Sequence, residues 1–359
     1  MLPKLAEEFA VSVSAASVVM TAYAFAYAGS LLLQGPLGDR FGKLRVVTLG
    51  MALAGVASIA CALSWDLGSL AAMRFFPGMC ASASVALGMA YIGDVVPMAA
   101  RQATIASFIS GSLLGQMVGP LVGGTFTDWV GWRGSFGLLG CIFVCVAIVL
   151  FIRTRAAWTA PLAGPLRPLA IYRRLLSRAA MRWLLAVGIA ETFFYFGAFA
   201  FLGAFLKMRF DLSFTTIGLV LAGYGLGGLL YTLTARVLIR SLGERGLVWG
   251  GGALGAVMFI AFVLVPHWGY AIACTTGLGV AFYMIHNTVQ TKATEVAPEA
   301  RGSAVALYAT GWALGQALGV GAMGLAVAAV GYAPAIMACG LGFGLVGLWL
   351  RGNMHRLRA

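Results

Sequence analysis

The sequence predicts an all-helical protein that crosses a membrane many times. Hydrophobic residues make up 61% of its 359 residues, charged residues only 10%, and the mean hydropathy is +0.94. A soluble domain usually carries about 25% charged residues, so the composition excludes a water-soluble fold. The apolar runs are about 20 residues long, which suits membrane helices better than the alternating strands of about ten residues in a barrel. The 49 glycines allow such helices to pack closely in lipid.

Eleven apolar runs are long enough to cross a bilayer. They lie at residues 14–36, 44–64, 67–93, 103–127, 134–152, 183–206, 214–237, 246–266, 269–291, 302–329 and 332–350. The longest polar stretch, residues 153–182, is rich in arginine and proline and has no acidic residue. We interpret it as a basic linker on the membrane surface. It divides the chain into an N-terminal helical bundle, residues 1–152, and a C-terminal bundle, residues 183–359.

Positive charge is distributed unevenly among the predicted loops. If successive loops alternate between the two sides, the side of the linker holds most of the 24 lysine and arginine residues. Because these residues collect in cytoplasmic loops, the asymmetry predicts that the linker and the C-terminus are cytoplasmic. Topology therefore explains the net charge of +13, and we expect no nucleic-acid partner. The predicted location is the cytoplasmic (inner) cell membrane, with the lipid bilayer as the surroundings.

The two bundles contain an internal repeat. The matching pairs are Arg101 and Arg301, Gly115 and Gly315, Gln116 and Gln316, and Gly119 and Gly319. An even number of spans separates the two copies, so both copies have the same orientation and form a parallel repeat. When the copies are aligned, the span at 183–206 has no partner before the span at 14–36. We therefore expect that a first helix is missing, most simply through a misassigned start site. An in-frame stop codon just upstream would contradict this.

The connection at residues 35–45 concentrates charge between two apolar runs, and its glycines and proline permit a tight turn. Positive-inside topology does not require the acidic Asp39 beside Arg40 and Lys43. A carboxylate can bind helix amides and pair with arginine, so we predict that Asp39 is a latch between helices, with Arg101 as its partner. An ordinary topogenic charge cluster is the alternative.

The second copy of this connection carries a different charge pattern. Arg240 stands where the first copy has Asp39. We therefore expect the second half to lack the same acidic latch.

Two charged residues lie well inside predicted spans, away from their ends. Glu191 is the only acidic residue near the middle of one. A charge there costs at least about 2.5 kcal/mol, so we expect Glu191 to face a cavity and to bind protons or a cationic substrate. A structural, hydrogen-bonded carboxylate is the alternative. Arg74 is the only lysine or arginine that lies away from the ends of a span. It can tune a proton site or bind an anion, or it can extend towards the membrane surface.

Polar and aromatic residues on other spans are candidates to line the same cavity. His286 and Gln290 are four residues apart on one helix face, and Asn287 is adjacent. Tyr23 and Tyr27 offer aromatic surface for stacking or for cation–π contact with a ligand. Packing inside the bundle is the alternative for each of these residues.

Several segments resemble motifs of the major facilitator superfamily. The loop motif between the second and third helices, G-x-L-x-D-R-x-G-[RK], is matched by Gly35, Asp39, Arg40, Gly42 and Lys43, although Leu44 follows where a basic residue is common. Residues 74–78 resemble the R-x-x-x-G motif of the fourth helix, and residues 132–136 resemble the start of the sixth. The resemblance implies that the loop latch closes the cytoplasmic face and opens during transport.

A further segment is similar to the fifth-helix motif of proton-driven drug antiporters, G-x-x-x-G-P-x-x-G-G. The matching residues are Gly115, Gly119, Pro120, Gly123 and Gly124. These small residues at helical spacing, with a proline that removes one backbone hydrogen bond, predict a close and bent helix contact. The resemblance implies that this contact is the outer seal against leakage, and plain small-residue packing is the alternative.

The resemblance implies two six-helix bundles that rock about a central cavity. We expect proton-coupled export of small, partly apolar molecules by a monomer that uses the proton gradient and needs no cofactor. One alternative is proton symport of a sugar or organic anion, with Arg74 as the anion partner. Another is a non-transporting membrane receptor or assembly factor, and a membrane enzyme is a fourth. The sequence contains no Walker loop, nucleophile motif or metal-ligand spacing, so we predict no catalytic residue and no metal site.

Overall fold

A computed structural model describes residues 1–155, 158, 168–297 and 301–357. All regular elements in these ranges are helical. They are α1 (Leu2–Glu8), α2 (Val13–Ala16), α3 (Val18–Phe41), α4 (Lys43–Ala62), α5 (Leu67–Val95), α6 (Met98–Trp129), α7 (Gly131–Thr154), α8 (Pro168–Ser177), α9 (Ala179–Phe210), α10 (Phe214–Leu264), α11 (Tyr270–Glu295), α12 (Arg301–Val330) and α13 (Tyr332–Asn353). A short 3-10 helix, Met354–Leu357, follows.

Within the described ranges, eight helical segments are long and apolar enough to cross a membrane. The predicted all-helical membrane class is confirmed. The count of eleven spans and the missing first helix stay predictions. One reason for the different count is that α10 runs for 51 residues through two predicted spans and is interrupted only at Gly243. In addition, α6 and α11 coincide with predicted spans but are not among the eight.

The predicted loop at residues 35–45 is much shorter in the structure. Helix α3 continues through Pro36 to Phe41, and α4 begins at Lys43. Gly42 alone makes the turn, with φ of +91°. A residue without a Cβ adopts this conformation at little cost, so one glycine can reverse the chain. The expected tight turn is therefore present, and the connection between the helices is reduced to Gly42.

Successive turns alternate between two ends of the helical bundle. The turns at Gly42 and Gly243, helix α8 and the C-terminal 3-10 helix lie at one end, which we call the basic end. The turns at residues 63–66, 130 and 211–213 lie at the other, which we call the opposite end. The basic end is therefore the end that the charge pattern predicts to be cytoplasmic.

Helices α3–α7 contact helices α9–α13 along two main seams, α3 with α12 and α6 with α10. The first seam buries Ala28, Leu31 and Ala313. The second depends on a very close backbone approach. A Cβ added at Gly218 of α10 would lie 2.3 Å from the carbonyl oxygen of Pro120 on α6. Only glycine fits there without moving the helices apart, so Gly218 is one of the residues that allow the close α6–α10 seam.

Candidate functional site

Glu191 is completely buried in the middle of α9. Neither carboxylate oxygen has a hydrogen-bond partner among the described residues. A buried carboxylate is stable only if it is neutral or is paired with a cation, because otherwise it loses its hydration without compensation. Burial places Glu191 among the helices and away from lipid, and the expectation that it faces a cavity stays a prediction.

His286 of α11 is the neighbour that can supply such a cation. Its Nδ1 atom lies 3.5 Å from Oε1 of Glu191 and 3.3 Å from the hydroxyl oxygen of Tyr308 on α12. The Phe282 ring stacks on the imidazole, with centroids 4.9 Å apart. We call Glu191, His286 and Tyr308 the acid–imidazole cluster. With the imidazole this close, the cluster can hold the carboxylate as an ion pair or as a neutral acid.

An aromatic wall adjoins the acid–imidazole cluster. Trp312 lies 6.0 Å from the His286 ring and 5.4 Å from Phe196, and Tyr195 lies 4.8 Å from Phe282, all between ring centroids. The Tyr195 hydroxyl and the Trp312 indole nitrogen are buried without a hydrogen-bond partner in the described ranges. Buried polar atoms are usually paired, because leaving one unpaired costs about 1–3 kcal/mol. The wall therefore offers stacking surface together with polar atoms that a ligand can use.

The aromatic wall reaches the N-terminal group of helices, α3–α7, through Tyr283. Its hydroxyl donates to the side-chain oxygen of Gln116 on α6, at 3.2 Å. The same ring stacks on Tyr224, with centroids 6.0 Å apart. Asn287 is half-buried, whereas Gln290 is exposed, although the sequence placed it on the face of His286. The structure therefore brings His286, but not Gln290, to Glu191.

Arg74 lies apart from the acid–imidazole cluster, on α5 in the N-terminal group of helices. Its guanidinium is 4.2 Å from the Tyr23 ring centroid and 5.2 Å from that of Phe136. Its Nε atom is buried without a hydrogen-bond partner, and no acidic side chain in the described part of the chain pairs with it. Tyr27 stacks on Tyr23. Cation–π contacts thus hold Arg74 between α3 and α7.

At the basic end, Lys43 joins the ends of three helices. Its Nζ atom is 2.5 Å from Asp94 at the end of α5 and 3.5 Å from Asp39 at the end of α3. Asp39 is largely exposed, and Arg40 contacts the Phe41 ring. The side chain of Arg101 lies outside the described residues, so the Asp39–Arg101 latch stays a prediction.

The second half has a corresponding cluster with the charges exchanged. Lys292 of α11 lies 2.8 Å from Glu244 and 3.0 Å from Glu295. Glu244 follows the turn at Gly243 as Lys43 follows the turn at Gly42. The second half has no acid at the position of Asp39, as expected, but it has a different acid, Glu244, whose cation comes from another helix.

Asp128 links α6 to α10 at the opposite end. Its carboxylate accepts hydrogen bonds from the backbone N–H groups of Phe214 and Thr215, at 3.0 and 2.6 Å, and from the Thr215 hydroxyl at 2.7 Å. The sequence analysis missed this residue. The available signal was an acid just before one turn and a Ser-x-Thr-Thr helix start after another, but only the fold brings the two together.

The glycines of the fifth-helix motif do not all make close contacts. A Cβ added at Gly124 would lie 2.1 Å from the carbonyl oxygen of Phe214, so this glycine lies at the α6–α10 seam. At Gly115, Gly119 and Gly123 an added Cβ would meet no described atom within 4 Å. In this conformation the seam is therefore made by Gly124 and by the backbone at Pro120, and not by the whole stripe. Gly35 likewise borders open space.

Comparison with known proteins gives a consistent set of relatives. A family model described as Major Facilitator Superfamily matches residues 1–320 and 210–358. The MFS-type transporter EfpA of Mycobacterium tuberculosis is 33% identical over 157 residues, 44% of this chain and 29% of EfpA. YceJ of Bacillus subtilis, also named an MFS-type transporter, is 24% identical over 335 residues, 90% of this chain and 83% of YceJ. Efflux pump radE of Floropilus chiversii is 30% identical over 141 residues, 38% of this chain and 26% of radE. The matches thus span under a third of EfpA and of radE.

Proposed function

The chain belongs to the major facilitator superfamily of membrane transporters, and we propose that it exports small, partly apolar molecules in exchange for protons. The observation that carries this proposal is the buried Glu191 carboxylate, 3.5 Å from His286 and beside the aromatic wall. Similarity to the efflux pump radE supports export as the direction. The arginine-rich linker and the C-terminus at the basic end support a cytoplasmic basic end.

The Glu191 carboxyl can couple substrate to protons by competition. In the membrane interior it is stable as a neutral acid or opposite a cation, which is either the protonated His286 ring or a cationic substrate on the aromatic wall. A substrate and a proton then compete for the same carboxylate. Because binding linkage is reciprocal, loading one favours release of the other, which is the condition for antiport.

The two seams supply the conformational part of the mechanism. Asp128 bonds α6 to α10 at the opposite end, and Ser14 donates to the carbonyl of Gly324 on α12 at the same end. Separating the two groups of helices at that end requires these bonds to break. At the basic end, the Lys43 and Lys292 clusters each hold helices within one half. We propose that they keep each half rigid while the halves rock.

The experiment is flux of the lipophilic cation tetraphenylphosphonium in proteoliposomes with an imposed pH gradient. We expect Glu191→Gln to lower gradient-driven flux more than about tenfold, since it removes the carboxylate for which the proton and the cationic substrate compete. Glu7→Gln, a change at an exposed acid, should have no effect. Unchanged flux in Glu191→Gln would refute the proposal. Binding without flux would indicate a receptor.

Uptake of an organic anion by proton symport is the second candidate, and Arg74 favours it. This cation has no acidic partner in the described part of the chain, so an anionic substrate can pair with it. The same proteoliposomes test this with a labelled organic anion such as benzoate. Accumulation along the proton gradient, lost in Arg74→Gln, would replace export by symport.

A further inference from the structure

A groove of about 750 Å³ lies at the basic end, between α10 and α13. Two arginines line it, Arg245 and Arg351, together with Trp249 and two leucines, Leu242 and Leu348. It is separate from the acid–imidazole cluster, and none of the residues assigned to transport line it. The groove therefore needs its own explanation.

Both arginines are available to an external anion. Within the described ranges neither Arg245 nor Arg351 pairs with an acidic side chain. The Arg351 guanidinium lies 5.6 Å from the Trp249 ring centroid, which orients it without neutralising it. A smaller groove between α9 and α13 differs in this respect. There, Arg182 already donates to the backbone carbonyls of Leu176 and Ser177.

The walls beside the arginines are apolar and exposed. Leu348 is 53% exposed, Trp249 47% and Leu242 45%. These residues lie at the end of membrane helices, where tryptophan is enriched at the boundary between headgroups and hydrocarbon. A soluble anion would use the two cations and leave this apolar surface uncovered. A molecule with an anionic head and apolar chains would use both.

We propose that this groove binds an anionic phospholipid from the leaflet at the basic end. The phosphate lies between Arg245 and Arg351, since guanidinium groups match the geometry of phosphate oxygens. The acyl chains lie along Leu242 and Leu348. Basic pockets between membrane helices are suited to anionic headgroups for this reason. The bound lipid would join the second part of α10 to α13.

Native mass spectrometry of the 359-residue chain in detergent tests the site, with dioleoylphosphatidylglycerol and dioleoylphosphatidylcholine as probes. We expect the phosphatidylglycerol to bind more tightly. Each arginine near an anionic lipid contributes about 1 kcal/mol, so Arg245→Gln with Arg351→Gln should weaken binding about 30-fold. The matched control removes two exposed arginines of the same end, Arg236→Gln with Arg240→Gln, and should weaken binding less than about threefold.

Three results would overturn the proposal: equal binding of the two lipids, equal losses in both double variants, or displacement of the lipid by equimolar glycerol 3-phosphate. The last would indicate a site for free phosphate esters. A second measurement keeps both arginines. Phosphatidylglycerol brominated on its acyl chains should quench more fluorescence in the unmodified chain than in Trp249→Phe, because Trp249 lines the groove. Equal quenching would also refute the site.

Discussion

Asp128 provides the sharpest test of how the two groups of helices are held together. Its carboxylate caps the start of α10 from the end of α6 through the contacts with Phe214 and Thr215. Helix α10 also has its own cap, because the Ser213 hydroxyl accepts from the N–H of Thr216 at 3.1 Å. Asp128→Ala should therefore leave α10 folded and weaken only the link between the helices.

The size of the effect follows from the three lost hydrogen bonds. In an exposed position each is worth about 0.5 kcal/mol, at the low end of the usual range, and the charge at a helix N-terminus adds about 0.5 kcal/mol. The total of about 2 kcal/mol corresponds to a shift of about 30-fold between closed and open forms of the opposite end. An open population of about 3% would then rise to about half.

Double electron–electron resonance measures these populations. Spin labels at Val130→Cys and Met208→Cys, in a background without other cysteines, report on the opposite end because both positions are exposed there. The control is Asp66→Ala. Asp66 makes a comparable cap, accepting from the N–H of Ser69 at 2.6 Å, but within one group of helices. We expect a new long distance in Asp128→Ala only. An unchanged distribution, or the same change in the control, would refute the reasoning.

Three further predictions concern the seam and the charged clusters. Gly218→Ala should separate α6 from α10 and lower flux at least about tenfold. Gly115→Ala should not lower flux, because its added Cβ meets open space. Equal flux in the two variants would contradict the importance of the close approach at Gly218. The hydrogen bond from Arg133 lowers the pKa of Glu8 below its usual 4.5. The stability that this pair contributes is therefore complete above pH 4.5 and is lost as the pH falls. In thermal unfolding, Glu8→Gln should therefore reduce the loss of stability between about pH 5 and 3, by under about 1 kcal/mol. Lys292→Gln leaves two acids without their shared cation and should lower the free energy of unfolding by about 1–2 kcal/mol in urea titration; no change would show that the cluster is inert.

Much of the fold was predictable because it depends on local properties of the chain. The length and hydropathy of the apolar runs determine membrane helices, and glycines such as Gly42 mark the turns. The motif at residues 35–45 indicated the family. Its extent as a loop was not predictable, because the helix continues through Pro36 until a residue can adopt positive φ.

The candidate site was predictable only in part. Glu191 was identified because a buried acid is costly wherever the bundle places it. Its partners were harder to predict. Tyr308 and Trp312 were missed, although their spacing of four residues places them on one helix face. Gln290 was expected beside His286 but is exposed, because the position of neighbouring helices decides which part of a face is covered.

The sequence by itself determined that this protein is a helical membrane protein of a transporter family, since composition, periodicity and motifs are properties of contiguous residues. The tertiary structure alone decided which charges meet: Glu191 with His286, Lys292 with Glu244, and Asp128 with the start of α10. These partners are distant in the chain. Their approach depends on how closely helices pack, which at Gly218 is decided by the absence of a single Cβ atom.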